Sequence, residues 1–253
     1  MYIIIPHIFK SIQPMTLKPI LIFSAVAFLA INVNANANNT EIQSFGHYKK
    51  MIHKQMTTGV VNLQKTIPSA NAYAVGATHK GLGEITIIDS KVWLDYGNDG
   101  LGNSSNIIPS DEQATLLALS VVKEWQTIEM PNGLSKLALF DTILKQAKEN
   151  GLDVNHPFPF QLEGEFNQLS LHVIDGKNPK FEGHGNKQGF FIKALEERHN
   201  QLATVIGFYS ADTQGVYTHP GESWHLHAVI RDENIGAHVD DISTNHVTLK
   251  LPK

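Results

Sequence analysis

The chain has 253 residues, 42% of them hydrophobic, with 24 acidic and 20 basic side chains, no cysteine and a formal net charge of −4. That length allows a sizeable core, and the composition excludes disordered, collagen-like and disulfide-scaffold classes. A mildly acidic chain whose two arginines are Arg198 and Arg231 lacks the basic surface needed by a nucleic-acid or anionic-membrane binder.

Residues 1–37 read as an export signal: Lys18 supplies a positive start, residues 20–31 are apolar, and Ala35-Asn36-Ala37 has the small-x-small form of a cleavage site. Cleavage after Ala37 is expected, leaving residues 38–253 as one mature domain; Met15 is an alternative start. Losing Lys10 and Lys18 and no acid takes the net charge from −4 to −6. The apolar run is shorter than the ~20 residues of a spanning helix, so no stable membrane insertion is expected after cleavage, an uncleaved tether being the alternative. The implied destination is the periplasm or the exterior, and the lack of cysteine suits an oxidising compartment.

From 45 to 63, apolar residues at Phe45, Tyr48, Ile52, Met56, Val60 and Leu63 recur mostly three or four apart and predict a short amphipathic helix. Residues 83–88 and 91–96 predict two strands joined by an Asp89-Ser90 hairpin turn. Residues 99–109, rich in Gly, Asn and Ser, predict a surface loop. Residues 110–122 fit either a helix or a buried strand, because the β-branched valines enter only at the end. Residues 134–150 predict a helix, with Ser135 near its start, apolar positions at Leu137, Phe140, Ile143, Leu144 and Ala147, and Gly151 as the stop. Residues 158–173, 203–209, 223–230 and 235–251 are strand-like. The fold class is α+β: mostly antiparallel or mixed β-sheets packed together, with a few helices.

Of the 13 histidines, five (His219, His225, His227, His238, His246) lie between residues 219 and 246. An even spread would place roughly one or two there. In a strand, His225 and His227 point to one face. Residues 231–234 are turn-like, so 223–230 and 235–241 can form a hairpin; pairing Ile230 with Ile235 sets His227 opposite His238. Cross-strand Cβ atoms then lie about 5 Å apart, with His225 on a diagonal of roughly 7 Å. Three imidazoles on a rigid platform suit a catalytic zinc with one open position, another divalent metal being allowed. His219 and His246 are read as ordinary hydrogen-bonding histidines outside this trio. A cupin also carries His-x-His, but its usual following Glu is replaced here by Ile230 and Arg231. Gly81-Leu82-Gly83 and Gly100-Leu101-Gly102 lack the third glycine and the βαβ context of a dinucleotide loop.

Ile206-Gly207-Phe208, Gly221-Glu222-Ser223-Trp224-His225-Leu226-His227 and Gly236-Ala237-His238-Val239-Asp240, in that order, resemble the alpha-acetolactate decarboxylase family. Upstream, Gly76-Ala77-Thr78, Gly83-Glu84-Ile85 with the Asp89 turn, and Gly164-Glu165-Phe166 are similar to further segments of that family, so the resemblance runs loosely from Tyr48 to about Leu249. It implies a two-domain-like fold of packed sheets, zinc held by His225, His227 and His238, Glu84 as an acidic group facing the metal, and conversion of acetolactate to acetoin and carbon dioxide. Two departures stand out. The family has an arginine three residues before the Gly-x-Phe glycine, where this chain has Gln161, which supplies neither charge nor a bidentate fork; Gln161 is the candidate substrate-pocket residue. The family also continues into a tail with a further glutamate, and this chain stops at Lys253. Glu163 and Glu165, on the same strand parity as Gln161, are read as a solvated face.

The leading reading is an exported zinc lyase acting on a small molecule, with a homodimer allowed. The alternatives are a related metalloenzyme for a substrate without a carboxylate, and a binding protein that retains the fold.

Overall fold

The computed structural model describes residues 1–2, 40–182 and 189–253; the expected signal from residue 3 onward and its cleavage site fall outside the described residues. The first ordered strand, β1 (Ile42–Phe45), leads into a single helical turn and a half, α1 (Tyr48–His53). The helix expected over 45–63 is therefore mostly not formed. Gln55 takes φ 55°, the Gly59 amide donates to His79 Nδ1 (2.8 Å), and the Val60 amide donates to the Ala114 carbonyl (2.7 Å). These bonds pull the second half to a sheet edge, where it forms β2 (Val61–Asn62) and the short α2 (Leu63–Thr66).

Strand β3 (Ala72–Thr78) is followed by the hairpin of β4 (Gly83–Ile88) and β5 (Lys91–Tyr96). Its turn residues Asp89 and Ser90 both have positive φ, 51° and 60°, the geometry of a two-residue primed turn. The ambiguous run at 110–122 is a strand, β6 (Gln113–Val121). Leu116 and Ala118 face one core and Leu117 and Leu119 another. Burial on both faces is what gives a strand a continuous apolar run. These strands form a sheet ordered β1-β6-β3-β4-β5, with β2 on β6.

After β7 (Trp125–Glu129) comes α3 (Lys136–Glu149), begun at Ser135 and ended before Gly151 at φ 87°; its Leu139, Phe140, Ile143 and Ala147 are buried. Three long strands and one short one complete the chain: β8 (Phe158–Lys177), β9 (Phe191–Tyr209), β10 (Trp224–Ile230) and β11 (Ile235–Pro252). The second sheet runs β10-β9-β8-β11-β7, and β10 also pairs with β11, so β8 to β11 close on themselves. All its pairings are antiparallel.

One core lies between α3 and the second sheet; a second lies between the two sheets, where Val75, Trp93 and Leu116 meet Ile206, Phe208 and Val229. On β4, Ile85 and Ile87 pack on the far side of the first sheet. The alternation leaves Glu84 and Thr86 facing the second sheet. Among the described residues no helix is long and apolar enough to cross a membrane.

Candidate metal centre

On β10, Leu226 packs into the α3-side core and Trp224 stacks on Phe140 at 4.3 Å. The alternate residues His225 and His227 point the other way, toward β4, and their Nε2 atoms stand 3.2 Å apart. A turn over Arg231–Glu233, with Asn234 at φ 53°, pairs Ile230 with Ile235 and thereby His227 with His238. Ring centroids are 5.0 Å apart for His225 and His227, 5.2 Å for His225 and His238, and 5.5 Å for His227 and His238.

The row continues across a third strand. His238 also pairs with His172 of β8, their rings 4.4 Å apart, and His219, from the loop before β10, stacks on His238 at 5.8 Å. His219, placed outside the site by the sequence reading, thus joins it. His172 Nδ1 donates to Asp240 Oδ2 at 2.7 Å, and Asp240 Oδ1 is 3.6 Å from His238 Nδ1. Glu84 reaches down from β4, with Oε2 at 3.6 Å from His227 Nε2 and Oε1 at 3.7 Å from His172 Nε2. Behind the cluster, Thr86 Oγ1 and His227 Nδ1 share a 2.9 Å hydrogen bond. With Nδ1 donating, the His227 Nε2 lone pair is left free.

Burial holds the His225 imidazole down to about 3 and those of His227 and His238 well below the ordinary range, with repulsion between neighbouring rings adding to it. Neutral imidazole is the ligand form. Burial also pushes the Glu84 carboxyl up to about 8, against the pull of Lys193. At Asp240 burial acts to raise the carboxyl, but the His172 hydrogen bond overrides it and leaves it below its usual range.

The donor set fits a divalent cation. Ligands at ~2.0–2.1 Å on a tetrahedron stand about 3.4 Å apart, close to the 3.2 Å between His225 Nε2 and His227 Nε2 and the 3.6 Å from there to Glu84. His238 Nδ1 is buried without a hydrogen-bond partner. Among the described residues, the group whose candidate ligand atoms all lie within 4.8 Å of one another is His172, His238 and Asp240. Only His238 of these belongs to the trio read from sequence.

A cavity of about 700 Å³ opens onto this cluster, lined by Glu84, His172, Lys193, His219, His225 and His238 among others. Gln161, expected in the pocket, is not among its lining residues. It is buried at 3% exposure and pairs with Ile206, which pairs in turn with His227. Two strand spacings, about 10 Å, separate Gln161 from His227, and the buried Ile206 stands between them.

The profile of the alpha-acetolactate decarboxylase family matches residues 33–253. The chain belongs to this family. Among solved structures, the acetolactate decarboxylase of Bacillus subtilis subspecies spizizenii is similar at a TM-score of 0.67 and 15% identity, over 83% of this chain and 85% of that one. The alpha-acetolactate decarboxylase of Bacillus subtilis strain 168 gives 0.66 and 15%, over 84% and 85%. A Staphylococcus aureus protein of unknown function, described as similar to alpha-acetolactate decarboxylase, gives 0.62 and 14%, over 83% and 84%. At these identities the likeness establishes the acetolactate-decarboxylase fold. A search of curated proteins found no match.

Of the family-like segments, Gly236-Ala237-His238-Val239-Asp240 already held Asp240, two residues from His238 and so on the same strand face. His172, Thr86 and Lys193 had no comparable signal. They reach the site through pairings between strands distant in sequence.

Proposed function

We propose that this chain is a zinc-dependent acetolactate decarboxylase, converting 2-acetolactate to acetoin and carbon dioxide, with the ion held by His225, His227 and His238. The observation that supports this reading most is the convergence of the His225 and His227 Nε2 atoms and Glu84 Oε2 beside His238, against a cavity that Glu84, His225 and His238 line, within a family-matched chain. His172 and Asp240 then form a neighbouring pair: the 2.7 Å bond orients the His172 ring, whose Nε2 stands 3.7 Å from Glu84 Oε1.

A divalent ion there would act as a Lewis acid, drawing electron density from the ketone and hydroxyl oxygens as the bond to the carboxyl group breaks. The chain's own residues do the rest. The buried histidines hold the ion in place, and the wall of Tyr48, Met51 and Phe190 limits water. Glu84, the buried carboxyl nearest the three histidines, is placed to move the proton onto the carbon that loses carbon dioxide. Export of residues 38–253 is part of the same proposal and rests on the signal motif.

The test is elemental analysis of the purified protein together with acetoin release from racemic acetolactate. About one zinc per chain is expected, with acetoin formed by the unaltered chain and reduced by about 100-fold or more in His227→Ala. His225→Ala should lose the metal, while His172→Ala should retain it with reduced turnover. Metal lost from His172→Ala and retained by His225→Ala would move the ion to the His172, His238 and Asp240 group, and metal-loaded protein without acetoin would refute the activity.

A further inference from the structure

The substrate proposed above carries a carboxylate, and the cavity that would receive it is poor in positive charge. Glu84, Glu222 and Asp240 line it. Neither arginine is available. Arg198 is bound to Glu196 and Glu233, each at 2.6 Å, and Arg231 lies over the Trp93 ring at 5.3 Å. Among the described residues, Lys193 is the one lysine or arginine that lines this cavity.

The setting of Lys193 leaves its donors unspent. On β9 it pairs with Ile174, which puts Nζ beside the His172 and Asp240 pair. Its nearest partners are His172 Nδ1 at 3.5 Å, whose own proton is engaged by Asp240, and Asp240 Oδ1 at 3.8 Å. Asp240 gives its short bond to His172, so among the described residues an ammonium with three donors has no acceptor closer than 3.5 Å. Lys136, which lines an adjoining smaller pocket, is already engaged, its Nζ donating to the Asp240 carbonyl at 2.6 Å.

We propose that Lys193 is the carboxylate-binding residue of this cavity and sets its preference for 2-hydroxycarboxylates over uncharged diols and ketones. The inference rests on the decarboxylase reading for the identity of the substrate, but its test does not require turnover. An incoming carboxylate accepts from Nζ while its hydroxyl and ketone oxygens lie toward the histidines. Asp240 steadies the ammonium without neutralising it by a close bond.

The experiment compares binding of lactate and of propane-1,2-diol to the unaltered metal-loaded protein, Lys193→Met and Lys193→Arg, alongside kcat and KM for acetolactate. Lactate should bind the unaltered protein more tightly than the diol. Lys193→Met should lose about 10- to 100-fold in lactate affinity, the range for a hydrogen bond to a charged group, with diol binding, metal content and Tm unchanged. KM should rise by the same factor and Lys193→Arg should restore most of the loss. Lactate binding that depends on Lys193 in a protein that forms no acetoin would uphold the inference and refute the decarboxylase reading. Acetoin formation with an unchanged KM in Lys193→Met would do the reverse, and equal lactate binding by the unaltered protein and Lys193→Met would overturn the inference.

Discussion

Thr86 Oγ1 and His227 Nδ1 stand 2.9 Å apart in a region where both side chains are fully buried. A ring without that partner can rotate about its Cβ bond and present either nitrogen. The hydroxyl therefore acts on the proposed metal site through the tautomer and angle of one imidazole, although it touches no candidate ion. Valine matches threonine in shape but removes the acceptor. Thr86→Val should retain the fold and weaken metal affinity by about 10- to 100-fold, the usual penalty for losing such an orienting bond. Competition with a graded series of chelators measures this directly, and unchanged affinity would assign Thr86 a purely structural place. The sequence offered no hint of the contact, because 141 residues separate the two groups.

At the level of elements, the glycines of the family-like segments explain how strands come close enough to place these side chains. A Cβ on Gly236 would lie 2.5 Å from Trp93 Cβ, so the start of β11 rests directly against β5. A Cβ on Gly207 would lie 2.2 Å from the Phe160 ring. Gly236 is two residues from His238, so a shift of β11 there carries the ligand strand with it. Gly236→Ala should destabilise the protein by about 1–3 kcal/mol through overpacking, equivalent to about 2–4 °C in Tm per kcal/mol, and should also lower metal occupancy. Gly189→Ala, where a Cβ meets none of the described residues within 4 Å, serves as the control. Thermal melting with parallel elemental analysis decides it; a stable Gly236→Ala variant with full metal content would show that the contact yields without cost. Elements of this local kind were legible in the sequence. The β4–β5 and β10–β11 hairpins follow from turn residues and alternation, and α3 from its periodicity and Gly151. The segment at 45–63 was misread because helical spacing of apolar residues also arises where a chain crosses from a short helix to a sheet edge.

On the scale of the whole molecule, the site exists only because two sheets face each other, with Glu84 and Thr86 supplied by one and the histidines by the other. That facing could be anticipated as a class of fold, but the row formed by His227, His238 and His172 depends on the β8–β11 register, whose partners lie 66 residues apart at His172 and His238 and whose bulges no local pattern encodes. Asp95, opposite Glu84 on β5, helps tie this assembly together. It is fully buried, and its Oδ2 accepts from Ser104 Oγ at 2.8 Å and from the Gly236 and Gly102 amides at 3.5 Å each, linking the first sheet to the start of β11. Its Oδ1 has no partner, and burial raises the carboxyl above its ordinary value of 3.8 despite those donors. A raised native value means that the folded state binds this proton more tightly than the unfolded chain. The associated stability is complete below the ordinary carboxylate range and is lost as pH rises through the native value. Asp95→Asn removes the charge and therefore this loss. The Tm of Asp95→Asn relative to the unaltered chain should shift in favour of the variant as pH rises from about 4 toward 8. Any fixed cost of the amide appears as a constant offset, so the slope is the readout. A difference that does not change with pH would mean that Asp95 is ionised in the folded protein and that its partners satisfy the charge.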